Sequence, residues 1–371
     1  MPPLLRLAAA IALLFFFLVG VNGLGDGFKN LGKGLIDSFF AATENPFVGL
    51  MIGILTTTLV QSSSVTTSLI VGLVAAPENP LPIASAVPMI MGANIGTTVT
   101  NTLVSLGHMG RRAEFQRAFA VATVHDFFNF IAVAALLPLE LSTGLLRRAA
   151  TWLASSMTGL GGIHYESPLK GALKTALVPV KGAINSVPAS SQFKAVLLIA
   201  FSGVLIITAL FLLVRVMRAS MQSRVEVYMT GALEKSAFIG LVVGIVATVM
   251  VQSSSITTSL LVPLAGASVI TLQQAFPITI GTNIGTTVTA LLAALAATGP
   301  HAMAGVTIAL VHLLFNVFGG LLIYPVSRVR QLPLEAARLL AATASRSRLL
   351  ALIYVALLFY VIPALCAVLF G

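Results

Sequence analysis

The sequence predicts an all-α polytopic membrane protein built from two inverted-topology repeats, each with a re-entrant helical hairpin and a broken transmembrane helix. Three observations carry this expectation. Composition comes first: 57% of residues are hydrophobic, 9% are charged and the mean hydropathy is +1.01, whereas soluble domains carry roughly 25% charged residues. Several apolar runs reach about 20 residues, enough to cross a hydrocarbon core of about 30 Å. The second observation is a duplication. Val60-Gln61-Ser62-Ser63-Ser64 returns as Val251-Gln252-Ser253-Ser254-Ser255. The third is an odd number of crossings in each copy, which turns the second copy over.

In chain order, the run after Arg6 reads as a first span, Leu4 to Gly23, with no A-x-A-like site to make it a cleaved signal peptide. A Gly-rich, mildly amphipathic stretch leads to Glu44. Asn45-Pro46 then opens an apolar run, 46–76, with Gln-Ser-Ser-Ser near its middle. As one helix it would be roughly 46 Å long, so a hairpin of two half-helices fits better than one tilted span. Such a hairpin is tolerated at membrane depth where protein or a water-filled cavity surrounds it. The run 81–106 carries Gly92-Ala93-Asn94-Ile95-Gly96-Thr97-Thr98, read as a helix break. A span over 115–139 holds His125, Asp126 and Asn129. These elements make repeat 1, residues 1–140. Residues 141–192, richer in Lys, Pro and Ser, read as an extramembrane connector on the extracellular or periplasmic side.

Repeat 2, residues 193–326, follows the same plan: span 193–216, hairpin 237–266, broken helix 272–297 and span 301–326. Its landmarks sit 191 residues on (Gln61 to Gln252), 189 on (Asn94 to Asn283) and 187 on (His125 to His312). A basic cytoplasmic loop and a final span occupy 327–371. Most of the 21 Lys and Arg fall at the N-terminus and in the 107–117, 215–235 and 327–348 connections. The positive-inside rule makes that side cytoplasmic and leaves the C-terminus outside a cell (plasma or inner) membrane. The net charge of +10 is thereby explained without a nucleic-acid partner. Cys366 stands alone, so no internal disulfide forms.

Inverted repeats with polar mid-membrane breaks are an architecture of secondary transporters, in which half-helix N-termini face a bound anion and freed oxygens hold Na⁺. The duplicated core segments contain no Lys or Arg, so a buried anion would need co-bound cations to offset its charge. Residues alone therefore indicate a cation-coupled carrier of an anion or a polar neutral solute. Isolated Ser and Thr in membrane helices often bond their own i−4 carbonyl instead, and the Asn-Gly elements also read as packing glycines. Asp126, with Leu313 at its place in repeat 2, is expected to be a cation ligand, an ion-pair partner or an interhelical hydrogen-bonder. An intramembrane serine hydrolase is disfavoured, because no G-x-S-x-G elbow occurs and the serines come as two near-identical clusters. A passive channel or a scaffold leaves the duplication unexplained.

The paired Gln-Ser-Ser-Ser and Asn-Ile-Gly-Thr-Thr elements, with Arg117-Ala118-Phe119 through His125-Asp126-Phe127-Phe128-Asn129, resemble the type II sodium–phosphate cotransporters and their bacterial relatives. The resemblance implies uptake of inorganic phosphate, mainly HPO₄²⁻, driven by inward Na⁺ flow, with no cofactor and no catalytic residue. It implies phosphate binding at Ser62, Ser63, Ser64, Ser253, Ser254, Ser255, Asn94 and Asn283. Gln252, Ser253, Thr286 and Thr289 match positions proposed to hold one Na⁺, and Gln61, Thr97 and Thr100 are their duplicates. Asp126 matches the acidic residue that marks electrogenic members, so three Na⁺ per phosphate is the expected ratio. The partners expected are phosphate, Na⁺ and the bilayer, with a homo-oligomer left open.

Overall fold

The computed structural model describes residues 3–29, 43–159, 168–233, 236–297 and 300–370. The described residues are helical throughout apart from turns. The stretch that leads to Glu44 and the middle of the connector lie largely outside them. In chain order come α1 (Pro3–Lys29), α2 (Pro46–Val60), α3 (Ser63–Val74), α4 (Ile83–Thr97), α5 (Val99–Leu106), α6 (Arg112–Thr143), α7 (Leu145–Gly159) and α8 (Pro168–Asn185). They are followed by α9 (Ser191–Leu233), α10 (Ala237–Val251), α11 (Ser254–Gly266), α12 (Leu272–Ala296), α13 (Ala302–Ile323) and α14 (Ser327–Ala344). The last span comprises α15 (Arg348–Ala356), a π-helical turn at Leu357–Val361 and α16 (Ile362–Phe370). Among the described residues, seven segments are long and apolar enough to cross a membrane. α2, α3, α10 and α11 are apolar but too short.

The two Gln-Ser-Ser-Ser stretches end one helix and start another by the same local chemistry. Gln61 and Gln252 both take the left-handed conformation, φ 56° and ψ 28°, which closes α2 and α10. The next residues, Ser62 and Ser253, are extended and cap α3 and α11: their hydroxyls accept from Val65 N–H at 3.3 Å and Ile256 N–H at 3.4 Å. Each glutamine Nε2 donates to a carbonyl of the last turn it closes, Thr58 O in one copy and Val249 O in the other. An unpaired acceptor at the helix end is thereby satisfied.

The expected break at Gly92–Thr98 takes a different form. α4 runs unbroken through Gly92 and Gly96 and is interrupted at Thr98 alone, while α12 is continuous from Leu272 to Ala296. Two reasons are visible. Asn94, Thr97 and Thr286 return side-chain protons to their own i−4 carbonyls, which leaves the helix intact. The glycines are needed for close approach: a Cβ on Gly92 would collide with Leu50 O of α2, and one on Gly281 with Leu241 O of α10. Gly53 against Met89 O and Gly244 against Ile278 O complete two matching seams, α2 on α4 and α10 on α12.

Several expected bounds also shift. α9 continues to Leu233, well past 216. The expected basic loop after 327 is helical over Ser327–Ala344, with Leu334, Ala337, Ala341 and Ala344 buried. One apolar cluster of the interior is shared by both copies and includes Phe17, Ile90, Phe128, Phe276 and Phe315. α1 and α9, the first spans of the two copies, meet along Gly20, Gly23 and Gly27, which approach Ile206, Ser202 and Ile199.

Candidate functional site

The helix breaks converge. A cavity of about 400 Å³ is lined by Gln61, Ser62 and Ser64 from the first copy and by Gln252 and Ser253 from the second. Ile207, Leu210 and Phe211 of α9 form an apolar wall. No charged side chain lines it. Because Ser62 and Ser253 are N-caps, the positive ends of two half-helices and their first N–H groups point toward this space. Ser63 and Ser254 are the buried first residues of α3 and α11, and Ser255 is half-buried beside them. None of these three lines the cavity.

Behind the cavity the predicted Na⁺-binding residues pair symmetrically. Thr100 Oγ1 donates to Gln61 Oε1 and Thr289 Oγ1 to Gln252 Oε1, both at 3.1 Å. Ser64 Oγ reaches Thr289 Oγ1 at 3.4 Å, so the first serine cluster touches the second copy's glutamine–threonine pair. Thr97 and Thr286 bond within their own helices and are buried.

Neither Asn94 nor Asn283 is among the residues that line the cavity. Asn94 Nδ2 donates to Ile90 O of its own helix at 2.9 Å. Asn283 joins a buried chain that crosses between the copies. In that chain Thr258 and Ser259 donate to Asn101 Oδ1 at 2.7 and 3.2 Å. Asn101 Nδ2 lies 3.4 Å from His125 Nδ1, and His125 Nε2 lies 2.5 Å from Asn283 Oδ1. Asn283 Nδ2 then donates to Asn129 Oδ1, whose Nδ2 donates to Asn94 O. Asn283 Nδ2 already donates to Asn129, so its Oδ1 must accept, which puts the His125 proton on Nε2. The corresponding residues of the second copy make no such chain: Asn316 Nδ2 donates to His312 O at 3.0 Å, while both ring nitrogens of His312 and Oδ1 of Asn316 lack a hydrogen-bond partner among the described residues.

Asp126 is fully buried. Tyr354 Oη, from α15, donates to its Oδ2 at 2.6 Å. The hydroxyls of Thr98 and Thr102 face the same carboxyl while donating to Ile95 O and Thr98 O, and Oδ1 has no hydrogen-bond partner.

Sequence reasoning missed Asn101, Tyr354 and the α9 wall. Asn101 had a signal, since its duplicate is Ala290, the same kind of departure that singled out Asp126 against Leu313. Tyr354 had none, because it lies in an apolar run outside the duplicated segments.

The sequence profile of the Na⁺/Pi-cotransporter family matches residues 16–165 and 205–342. The sodium-dependent phosphate transport protein 2A of Mus musculus is 34% identical over 430 aligned residues, which span 98% of this chain and 67% of that protein. Protein 2B of Homo sapiens is 32% identical over 445, spanning 96% of this chain and 64% of the relative. No solved structure matches the chain.

Proposed function

The chain belongs to the Na⁺/Pi-cotransporter family, and from that premise we propose that it imports inorganic phosphate, as HPO₄²⁻, by symport with Na⁺. The single observation that carries the reading is the uncharged cavity lined by Gln61, Ser62 and Ser64 of one copy and Gln252 and Ser253 of the other. In it, phosphate oxygens are held by the hydroxyls and N–H groups at the starts of α3 and α11, where the helix dipoles favour negative charge. Ser62, Ser63, Ser64, Ser253, Ser254 and Ser255 supply these groups, each from its hydroxyl or its N–H. Asn94 and Asn283 are assigned to the same phosphate site.

A doubly charged anion away from water needs compensation, and no Lys or Arg lines the cavity. Na⁺ supplies that charge as a co-substrate. The Gln252–Thr289 pair, with Ser253 and Thr286, holds one ion, and the Gln61–Thr100 pair with Thr97 offers the equivalent oxygens in the other copy. Asp126 holds a further Na⁺ and makes each cycle move net charge. Coupling follows because phosphate binds well only when the cations have bound. The cavity then opens to one side of the membrane or the other, with the N-terminus cytoplasmic and the C-terminus outside a plasma or inner membrane. The relatives are transport proteins by name, and no catalytic residue is assigned.

Uptake of labelled phosphate into proteoliposomes tests the reading. An inward Na⁺ gradient is expected to drive accumulation, and Ser62→Ala and Ser253→Ala each to lower it at least tenfold at equal protein. Uptake that ignores the gradient would reject symport. For Asp126, phosphate-evoked current is expected to vanish in Asp126→Gly while electroneutral uptake persists; a persisting current removes its assigned role.

A further inference from the structure

The last span contains a feature that neither copy of the duplication supplies. Pro363 lacks the N–H that would continue the helix toward Phe359. One residue earlier, Ile362 N–H bonds Leu357 O, five residues back, and this widens Leu357–Val361 into a π-turn. Such turns recur at functional positions in helices. This one carries Phe359, which is fully buried, against the ring of Tyr354, with centroids 6.2 Å apart at 84°. Phe119 of α6 meets the same phenol from another helix, at 6.3 Å and 70°. Tyr354 is therefore clamped edge-on between two rings, with its hydroxyl 2.6 Å from Asp126 Oδ2.

We propose that Tyr354 is a positioning residue for the Asp126 cation site: it pins Oδ2 and so presents Oδ1 to Na⁺. The inference rests on the reading of Asp126 as a Na⁺ ligand and adds the last span to that site. Three singular features meet here. Asp126 faces the clamped phenol where the second copy has Leu313; the helix is interrupted at Thr98 where α12 is continuous; and the span that brings Tyr354 has no duplicate.

The competing explanation is a static tie between α6 and the last span, of the kind polar side chains make between membrane helices. It accounts for Oδ2. It leaves unexplained why Oδ1, fully buried, has no donor although the hydroxyls of Thr98 and Thr102 lie near the carboxyl and give their protons to backbone carbonyls. A buried carboxylate oxygen without a donor is costly, and the hydroxyl oxygens near the carboxyl add to a set of oxygens suited to a hard cation. The phenol fixes which oxygen is free, because its one proton is committed to Oδ2.

Tyr354→Phe tests this. It keeps both ring contacts and removes the hydroxyl. The Na⁺ concentration for half-maximal phosphate uptake is expected to rise about tenfold or more, the scale of one hydrogen bond to a charged group. Half-saturation by phosphate at saturating Na⁺ should stay within about twofold. Asp126→Gly and the double variant should share one Na⁺ dependence, since the phenol acts only through the carboxylate. Where the variant yields too little active transporter, the Na⁺-induced rise in Tm of the purified protein reads the same site, and its Na⁺ midpoint should move by the same factor. A wild-type Na⁺ midpoint in Tyr354→Phe, with a shifted one in Asp126→Gly, overturns the role of Tyr354 and leaves Asp126 as a ligand. A wild-type midpoint in Asp126→Gly removes the underlying assignment.

Discussion

Gln61 and Gln252 sit in a backbone conformation that an L-residue adopts at a cost of roughly 1–2 kcal/mol. Their carboxamides explain why glutamine, and not glycine, is there: Nε2 closes the preceding helix while Oε1 meets Thr100 or Thr289. The two roles separate in one substitution. Gln252→Gly relieves the backbone and deletes the carboxamide, so Tm should change by only a few degrees while the Na⁺ dependence of uptake weakens several-fold. Gln252→Val adds β-branching to a left-handed position, and its Tm should fall clearly below that of Gln252→Gly in the same thermal scan. These glutamines were legible in the sequence because the whole break is local, four consecutive residues inside an apolar run. Asn101 and Tyr354 were not, because their partners stand 157 and 228 residues away. Only folding puts Thr258 beside the one and Asp126 beside the other.

Among elements, the two serine breaks follow the sequence pattern closely, and the two Asn-Gly elements do not. The serine breaks are forced by a left-handed residue and an N-cap, whereas a glycine in a helix serves equally as a bend or as a place for another backbone to pass. Leu50 O against Gly92 and Leu241 O against Gly281 decide for passage. Adding a methyl group there must push two backbones apart, an overpacking penalty of about 1–3 kcal/mol. Gly92→Ala and Gly281→Ala should therefore lower Tm in detergent by several degrees. Gly110→Ala, where a Cβ would meet nothing within 4 Å, should leave it unchanged. α14 shows the opposite kind of error. Its charges suggested a loop, yet Leu334, Ala337, Ala341 and Ala344 recur at helical spacing and are the residues it buries.

For the whole molecule, the internal duplication was readable because its landmarks recur in the same order with nearly constant spacing. The packing respects it, down to matching glycine seams in the two copies. The inverted orientation remains the expectation that labelling tests most directly. In a Cys366→Ser background, which has no other cysteine, a cysteine at Gly110 should react with a membrane-impermeant maleimide only after the membrane is opened. One at Pro300, in the equivalent connection of the second copy, should react from outside in intact cells. The same labelling at both positions would reject the arrangement. The glycine seams also have a mechanical consequence. Where backbone rests on backbone, with no side chain between to yield, two helices behave as a single stiff lever. α2 with α4 is one such lever and α10 with α12 the other. Between the two copies the links are of another kind, Ser64 to Thr289, Thr258 to Asn101 and His125 to Asn283. Each of these can be handed to water or to a substrate oxygen without breaking a helix. Displacement that opens the cavity is thereby steered to the polar joints, while the helices that carry the glutamines keep their shape.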